Sequence, residues 1–216
     1  MSSYSVTTHL STHAHSFEYF SRVGTIALLV VGVFILALVM GTLTTYNGLV
    51  SKDEAVATAW GNVQSQYQRR ADLVPNLVST VKGYAKHESE TLEGVVAARA
   101  KATQITVNAD ELTSEKLKQY QAAQGELSQA LGRLMAIQEN YPQLKANENF
   151  SELQAQLEGT ENRINESRQL FNSAVQTYNV SVRRFPANIV AGMFGFEKKS
   201  QFEAESGAEK APKVEF

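Results

Sequence analysis

Residues 69–88 read RRADLVPNLVSTVKGYAKHE, a helical pattern with Pro75 in its middle. Whether that proline ends a helix, opens a loop or only bends a rod decides the fold. Outward on both sides, Val56, Trp60, Val63, Tyr67, Arg70, Val74, Leu77, Val81, Tyr84 and Glu88 follow spacings of four and three without a slip. Such a row is the a/d seam of coiled-coil packing, and its phase crosses Pro75 unchanged. A separate helix starting at Pro75 would have no reason to keep that register, and Val74 would cap it poorly. The spacing therefore predicts one helix with a bend, in which Pro75 removes the bond to the Ala71 carbonyl and crowds that turn. The cost is ~3 kcal/mol unless packing compensates. A break is cheaper at Gly83–Ser89, so the helix is expected from about Tyr46 to Glu88 and, if unbroken there, to Ala102.

Upstream, residues 23–43 read VGTIALLVVGVFILALVMGTL and carry no charge. At 1.5 Å per residue they span roughly 30 Å, the thickness of a bilayer core. Phe17, Tyr19 and Phe20 flank one side and Tyr46 the other, as interfacial aromatics do. The run exceeds the ~7–15 apolar residues of a signal peptide, and no small-residue cleavage site follows. The expectation is a single transmembrane helix. Arg22 and Lys52 on its two flanks leave the orientation undecided. Residues 1–22 form a polar tail without sustained period; its His9, His13 and His15 lack a partner set that would hold a metal.

Downstream, Ala, Glu, Gln, Leu and Lys crowd residues 50 to 185, a composition of long helices. Turn residues cluster in TVNADELTSE, where Asn108 or Ser114 could cap the next helix. That helix is expected over 114–141, with a seam of Tyr120, Ala123, Leu127, Ala130, Leu134, Ile137 and Tyr141. Ala122, Gly125, Ser128, Gly132 and Ala136 make a second, small-residue side, placed there either for close approach of another helix or by chance. A third helix is expected over 149–184, capped by Asn149 and halted by Pro186. On it Phe150, Leu157, Ile164, Phe171, Tyr178 and Phe185 recur every seven residues beside the smaller Leu153, Thr160, Ser167, Ala174 and Ser181. Large knobs beside small residues allow tight interhelical packing.

The 216 residues carry a net charge of −2 and contain no cysteine. This excludes disulfides and thiolate chemistry and gives no basis for binding nucleic acid. No phosphate loop, nucleophile elbow or H-E-x-x-H motif is present, and His87 stands on a charged, solvated stretch. No catalytic residue, metal or cofactor is expected. Two seam positions are charged, Arg70 and Glu88. Either they reach water at the bundle edge, or each meets a partner on another helix or subunit and sets the register.

The stretch RRFPANIVAGMFGFEKK, 183–199, is apolar between pairs of basic residues. In a short amphipathic segment at 186–197, Ile189, Val190, Met193 and Phe194 would share a face, with Phe196 beyond Gly195. That face suits membrane lipid, or else closes the bundle end or meets a neighbouring subunit. Residues 198–216 read as an extended polar tail whose Val214 and terminal Phe216 could add as a strand to a partner's groove.

The stretches YNGLV, WGNVQSQYQRRADLVPNLVSTVKGYAKHE, ENYPQLKANENFSELQAQLEGTENRI and YNVSVRRFPANIVAGMFGFEKKSQFEAE resemble the LemA family of bacterial membrane proteins. The resemblance implies a single membrane helix followed by an elongated helical bundle. It implies no established activity. A family member acts in forming bacterial magnetosome membranes, which implies a membrane-organising role by analogy. The long histidine-bearing N-terminus departs from the family pattern.

The expected fold is all-α: an N-terminal transmembrane helix, then an elongated antiparallel bundle of three to four long helices over 44–185. The expected function is a bacterial cytoplasmic-membrane scaffold that forms homo-oligomers and organises membrane or envelope components without catalysis. The alternative is an adaptor presenting a client, or its own C-terminus, to a membrane protease or transporter.

Overall fold

A computed structural model describes the backbone of residues 4–203 and the side chains of residue 22 and residues 24–203. All regular structure among these is helical. The helices are α1 (Tyr4–Tyr84), α2 (Ser89–Gln104), α3 (Ser114–Ala136), α4 (Pro142–Lys145), α5 (Glu148–Arg183) and α6 (Ala187–Phe194), with 3₁₀ turns at Ala109–Glu111 and Ile137–Asn140. The chain divides into two compact units, Met1–Gly48 and Leu49–Phe216.

In the first unit α1 begins at Tyr4, inside the stretch read as a polar tail. No glycine or proline precedes Gly24, so a helix established in the apolar run propagates toward the N-terminus at little cost. The large apolar side chains from Ile26 to Leu43 are 49% to 74% exposed. This helix is long and apolar enough to cross a membrane. At its end Thr42, Thr44 and Thr45 donate their hydroxyls to the carbonyls of Leu38, Met40 and Gly41 at 2.8–2.9 Å, which leaves no hydroxyl unpaired in an apolar medium. The side chains of His9, His13 and His15 lie outside those described, as do Val214 and Phe216.

In the second unit α1 passes through Pro75 without ending. Val56, Trp60, Val63, Tyr67, Arg70, Val74, Leu77 and Val81 are all buried. The carbonyl of Ala71 is not left empty: Arg99 of α2 donates its Nε to it at 2.8 Å. The helix does end at Tyr84, and the chain breaks over Ala85–Glu88 before α2. Residues 46–102 are thus two elements. Tyr84 turns outward, 41% exposed, and Ala85 takes its place in the core.

Capping accounts for the other differences at helix ends. Thr113, rather than Asn108 or Ser114, caps α3 by accepting from the Lys116 amide. Asn147, rather than Asn149, caps α5 by accepting from the Phe150 amide at 2.9 Å, while its Nδ2 donates to the Tyr84 hydroxyl. One residue therefore both starts α5 and fastens the end of α1. The α3 helix gives way to a 3₁₀ turn at Ile137, short of Tyr141, and Pro142 opens α4 within the loop.

The core has two halves. Trp60, Tyr67, Tyr120, Phe171 and Phe202 form an aromatic cluster with ring centroids 5.2–6.0 Å apart, distances at which edge and tilted contacts are favourable. Beyond Arg70, Val74, Leu77, Val81, Leu127, Leu131, Leu134, Leu144, Phe150 and Leu157 make a second, mainly aliphatic cluster. On α5 the seven-residue row is buried from Phe150 to Tyr178, whereas Phe185, past the helix end, is 77% exposed.

Candidate functional site

The most unusual interior group is Arg70, only 2% exposed at the junction of the two core halves. Burying a guanidinium costs several kcal/mol unless it is paired and hydrogen-bonded. Its Nη1 donates to Glu161 Oε1 on α5 at 2.7 Å. Its Nη2 donates to both the backbone oxygen and Oε1 of Gln124 on α3, each at 2.9 Å. The guanidinium also lies 5.0 Å from the centre of the Tyr67 ring. Gln124 in turn donates Nε2 to the Ala102 carbonyl of α2 at 3.2 Å. One side chain of α1 thereby joins α3 and α5 directly and α2 through Gln124. The other charged seam residue, Glu88, is half-buried beside α2 and accepts from the Tyr141 hydroxyl at 3.2 Å. Burial, hydrogen bonding to Glu88 and the carboxylate's charge together push the Tyr141 phenol up.

A second construction lies on the surface of α5. After Gly195, which ends α6 in the left-handed region at φ 76°, residues 197–203 run back along α5 without regular secondary structure. Asn179 accepts from the Lys199 amide and donates to the Lys199 carbonyl, both at 2.9 Å. One heptad earlier, Asn172 accepts from the Phe202 amide at 2.9 Å and donates to the Phe202 carbonyl at 3.2 Å. Seven helical residues rise ~10.5 Å and three extended residues cover ~10 Å, so the two asparagines match the repeat of an extended backbone. Gln201 returns a bond to the Asn172 carbonyl at 2.8 Å. Phe202 enters the aromatic cluster with the Arg168 guanidinium 4.8 Å over its ring. Glu203 is held by Lys118 and Gln121 of α3. The part of the expected tail at 198–203 is therefore clamped to the bundle.

At the start of this clamped segment Lys199 pairs with Asp53 at 2.5 Å and sits over the Tyr178 ring. Burial pushes the Tyr178 phenol up to about 12, and the charges of Asp53 and Glu197 add to it. Burial raises Tyr120 still more.

The five apolar residues proposed around α6 do not form one surface. Val190 turns inward with Ala191 against the bundle, and Phe196 is half-buried, while Ile189, Met193 and Phe194 face outward. A cleft of about 610 Å³ is lined by Gln64, Gln68, Asp72, Thr106, Tyr120 and Gln124 among others. Its one carboxylate, Asp72, accepts from Gln68. His87 is exposed, and no group of three His, Cys, Asp or Glu side chains converges among the described residues. On the small-residue side of α3, Ala122, Ser128, Gly132 and Ala136 are exposed and Gly125 is half-buried.

The LemA family model matches residues 59–216, which takes in the Arg70 hub, the asparagine clamp and α6. The chain belongs to the LemA family. Similar curated proteins include magnetosome protein MamQ 2 of Paramagnetospirillum magneticum, 30% identical, covering 82% of this chain and 72% of the relative. Magnetosome protein MamQ of Magnetospirillum gryphiswaldense is 29% identical over 78% of this chain and 68% of its own length. Protein LemA of Metamycoplasma hominis is 23% identical over 73% and 68%. This LemA-family chain is a helical membrane protein. Arg70 and Glu88 were visible in its sequence as breaks in an apolar row. Gln124, Arg99, Asn172 and Asn179 were not singled out, although asparagine at heptad spacing on a helix, where it is a poor former, was a usable signal.

Proposed function

We propose that this protein is a non-catalytic scaffold of the bacterial cytoplasmic membrane that self-associates and organises other membrane components. The observation that carries the reading is where the buried polar chemistry goes. Arg70, Gln124 and Glu161 are spent on joining helices, and Asn172 and Asn179 on holding the chain's own backbone. Catalytic sites instead aim perturbed acids and bases into a shared cavity. Self-association is supported by α3, whose small residues Ala122, Ser128, Gly132 and Ala136 are exposed, although a glycine costs ~1 kcal/mol in a helix. A second copy brings the close approach that this chain does not. The relatives named as magnetosome proteins favour a membrane-organising task.

Light scattering of the detergent-solubilised full chain tests this. A defined oligomer is expected, and Gly132→Leu is expected to dissociate it with helicity unchanged. A monomer that retains a co-purifying membrane protein would replace the scaffold with the adaptor reading. Because the chain has no cysteine, disulfide crosslinking of a Gly132→Cys variant reports the α3 contact without background.

A further inference from the structure

We propose that α6 lies in the membrane–water interface, with Ile189 and Met193 of its outward face and Phe185 of the preceding turn among lipid chains and Arg183, Arg184 and Lys198 on anionic headgroups. Ile189 and Met193 are 55% and 71% exposed and stand one turn apart on α6, Phe194 beside Met193 is 53% exposed, and Phe185, in the turn just before the helix, is 77% exposed. Among the described residues beyond the span, the other strongly exposed aliphatic side chains, Val96, Leu170 and Val180, stand singly on α2 and α5. Single exposed apolar residues are ordinary, whereas a contiguous apolar edge marks a contact surface. The opposite side of α6 is anchored, with Val190 and Ala191 buried, so the helix has a fixed outward face. Arg183 and Arg184, a few residues before the helix, and Lys198, a few past it beside Glu197, are exposed. An apolar strip bracketed by basic side chains is the pattern of a helix lying in an anionic bilayer surface.

Chain connectivity selects lipid over other occupants. Lys199, just past α6, is bonded to Asp53, and Asp53, Tyr178 and residues Phe194–Ser200 line one cleft. Asp53 follows Leu43, the last large apolar residue of the exposed run, by ten residues, a chain reach of at most ~36 Å. Lipid that surrounds residues 24–43 is therefore tethered to this chain through that short stretch. Tethering raises the effective concentration of lipid at α6 to the millimolar range or above, so a short apolar edge too weak to bind a free vesicle is populated here. This contact rests on the membrane anchor alone and is the same whether the chain is a monomer or an oligomer.

The test uses the full chain in lipid nanodiscs of phosphatidylcholine, with and without phosphatidylglycerol. A Met193→Cys variant carries a small fluorophore, and the acyl chains are brominated to quench it. A Leu36→Cys variant in the span and a Gln119→Cys variant at an exposed site of α3 set the two limits. Quenching at position 193 is expected about threefold above the α3 control, rising with the anionic fraction and falling with salt. Adding Phe185→Asp and Ile189→Asp is expected to abolish it while circular dichroism stays unchanged. Quenching equal to the α3 control overturns the proposal. So does quenching that survives the two aspartates, or protection from water without quenching, which would assign the edge to another segment of this chain. Efficient disulfide crosslinking of position 193 between copies would assign it to a second subunit and also overturn the proposal.

Discussion

At the scale of single residues, Glu161→Ala is expected to destabilise the bundle more than Arg70→Met. Glu161 is about one third exposed, whereas Arg70 is buried. Removing the carboxylate strands an interior guanidinium, a loss of about 3 kcal/mol. Removing the guanidinium lets Glu161 turn to water and puts an apolar side chain in the core, so about 1 kcal/mol or less is lost. Chemical denaturation of the detergent-solubilised protein measures both, and the reverse order would contradict the hub. Tyr120 and Tyr178 make a second prediction. Burial raises both phenols above the usual 10, so the folded chain holds these protons more tightly than the unfolded chain. Their contribution is complete below pH 10 and is lost as pH rises from there through 12 and beyond. Helical ellipticity is expected to fall over that window, later in Tyr120→Phe. The oddity of Arg70 was legible because it interrupts an apolar row. Its partners were not, because they lie 54 and 91 residues away and no local spacing reports a contact of that range.

At the scale of elements, Pro75 and Arg99 should behave as a pair. Proline frees the Ala71 carbonyl, and Arg99 occupies it. Arg99→Ala is expected to cost about 1–2 kcal/mol, as a charge-assisted bond to a buried acceptor does. In a Pro75→Ala background the cost should nearly vanish, because alanine brings back the backbone amide that proline lacks and with it the helical bond to the Ala71 carbonyl. A double-mutant cycle without coupling would refute the pairing. The asparagine clamp gives another test. Each side chain must both donate and accept, so Asn172→Asp and Asn179→Asp should release residues 199–202 as fully as alanine does. Faster amide exchange there, with α5 protected, is the readout. The seams and the continuity through Pro75 were legible because burial repeats every three and four residues. The caps were misplaced because several Ser, Thr and Asn residues compete in each boundary and only the geometry selects Thr113 and Asn147. The α6 face was misassigned because Ile189 and Val190 are adjacent, and an eight-residue helix has too few turns to show which of them packs inward.

At the scale of the whole molecule, the fold class and the apolar helix could be read directly, since both follow from composition and a run of uncharged residues. The hub at Arg70 has a consequence for how the second unit comes apart. Because Arg70 ties α1 to α3 and α5, and Gln124 extends the tie to α2, α3 or α5 cannot peel away without taking partners from a buried guanidinium, and α2 cannot without taking one from Gln124. Melting should be all-or-none across these helices. Deep amides at Leu77, Leu127 and Phe171 are expected to share one opening free energy, and Glu161→Ala should split that common value into separate local openings.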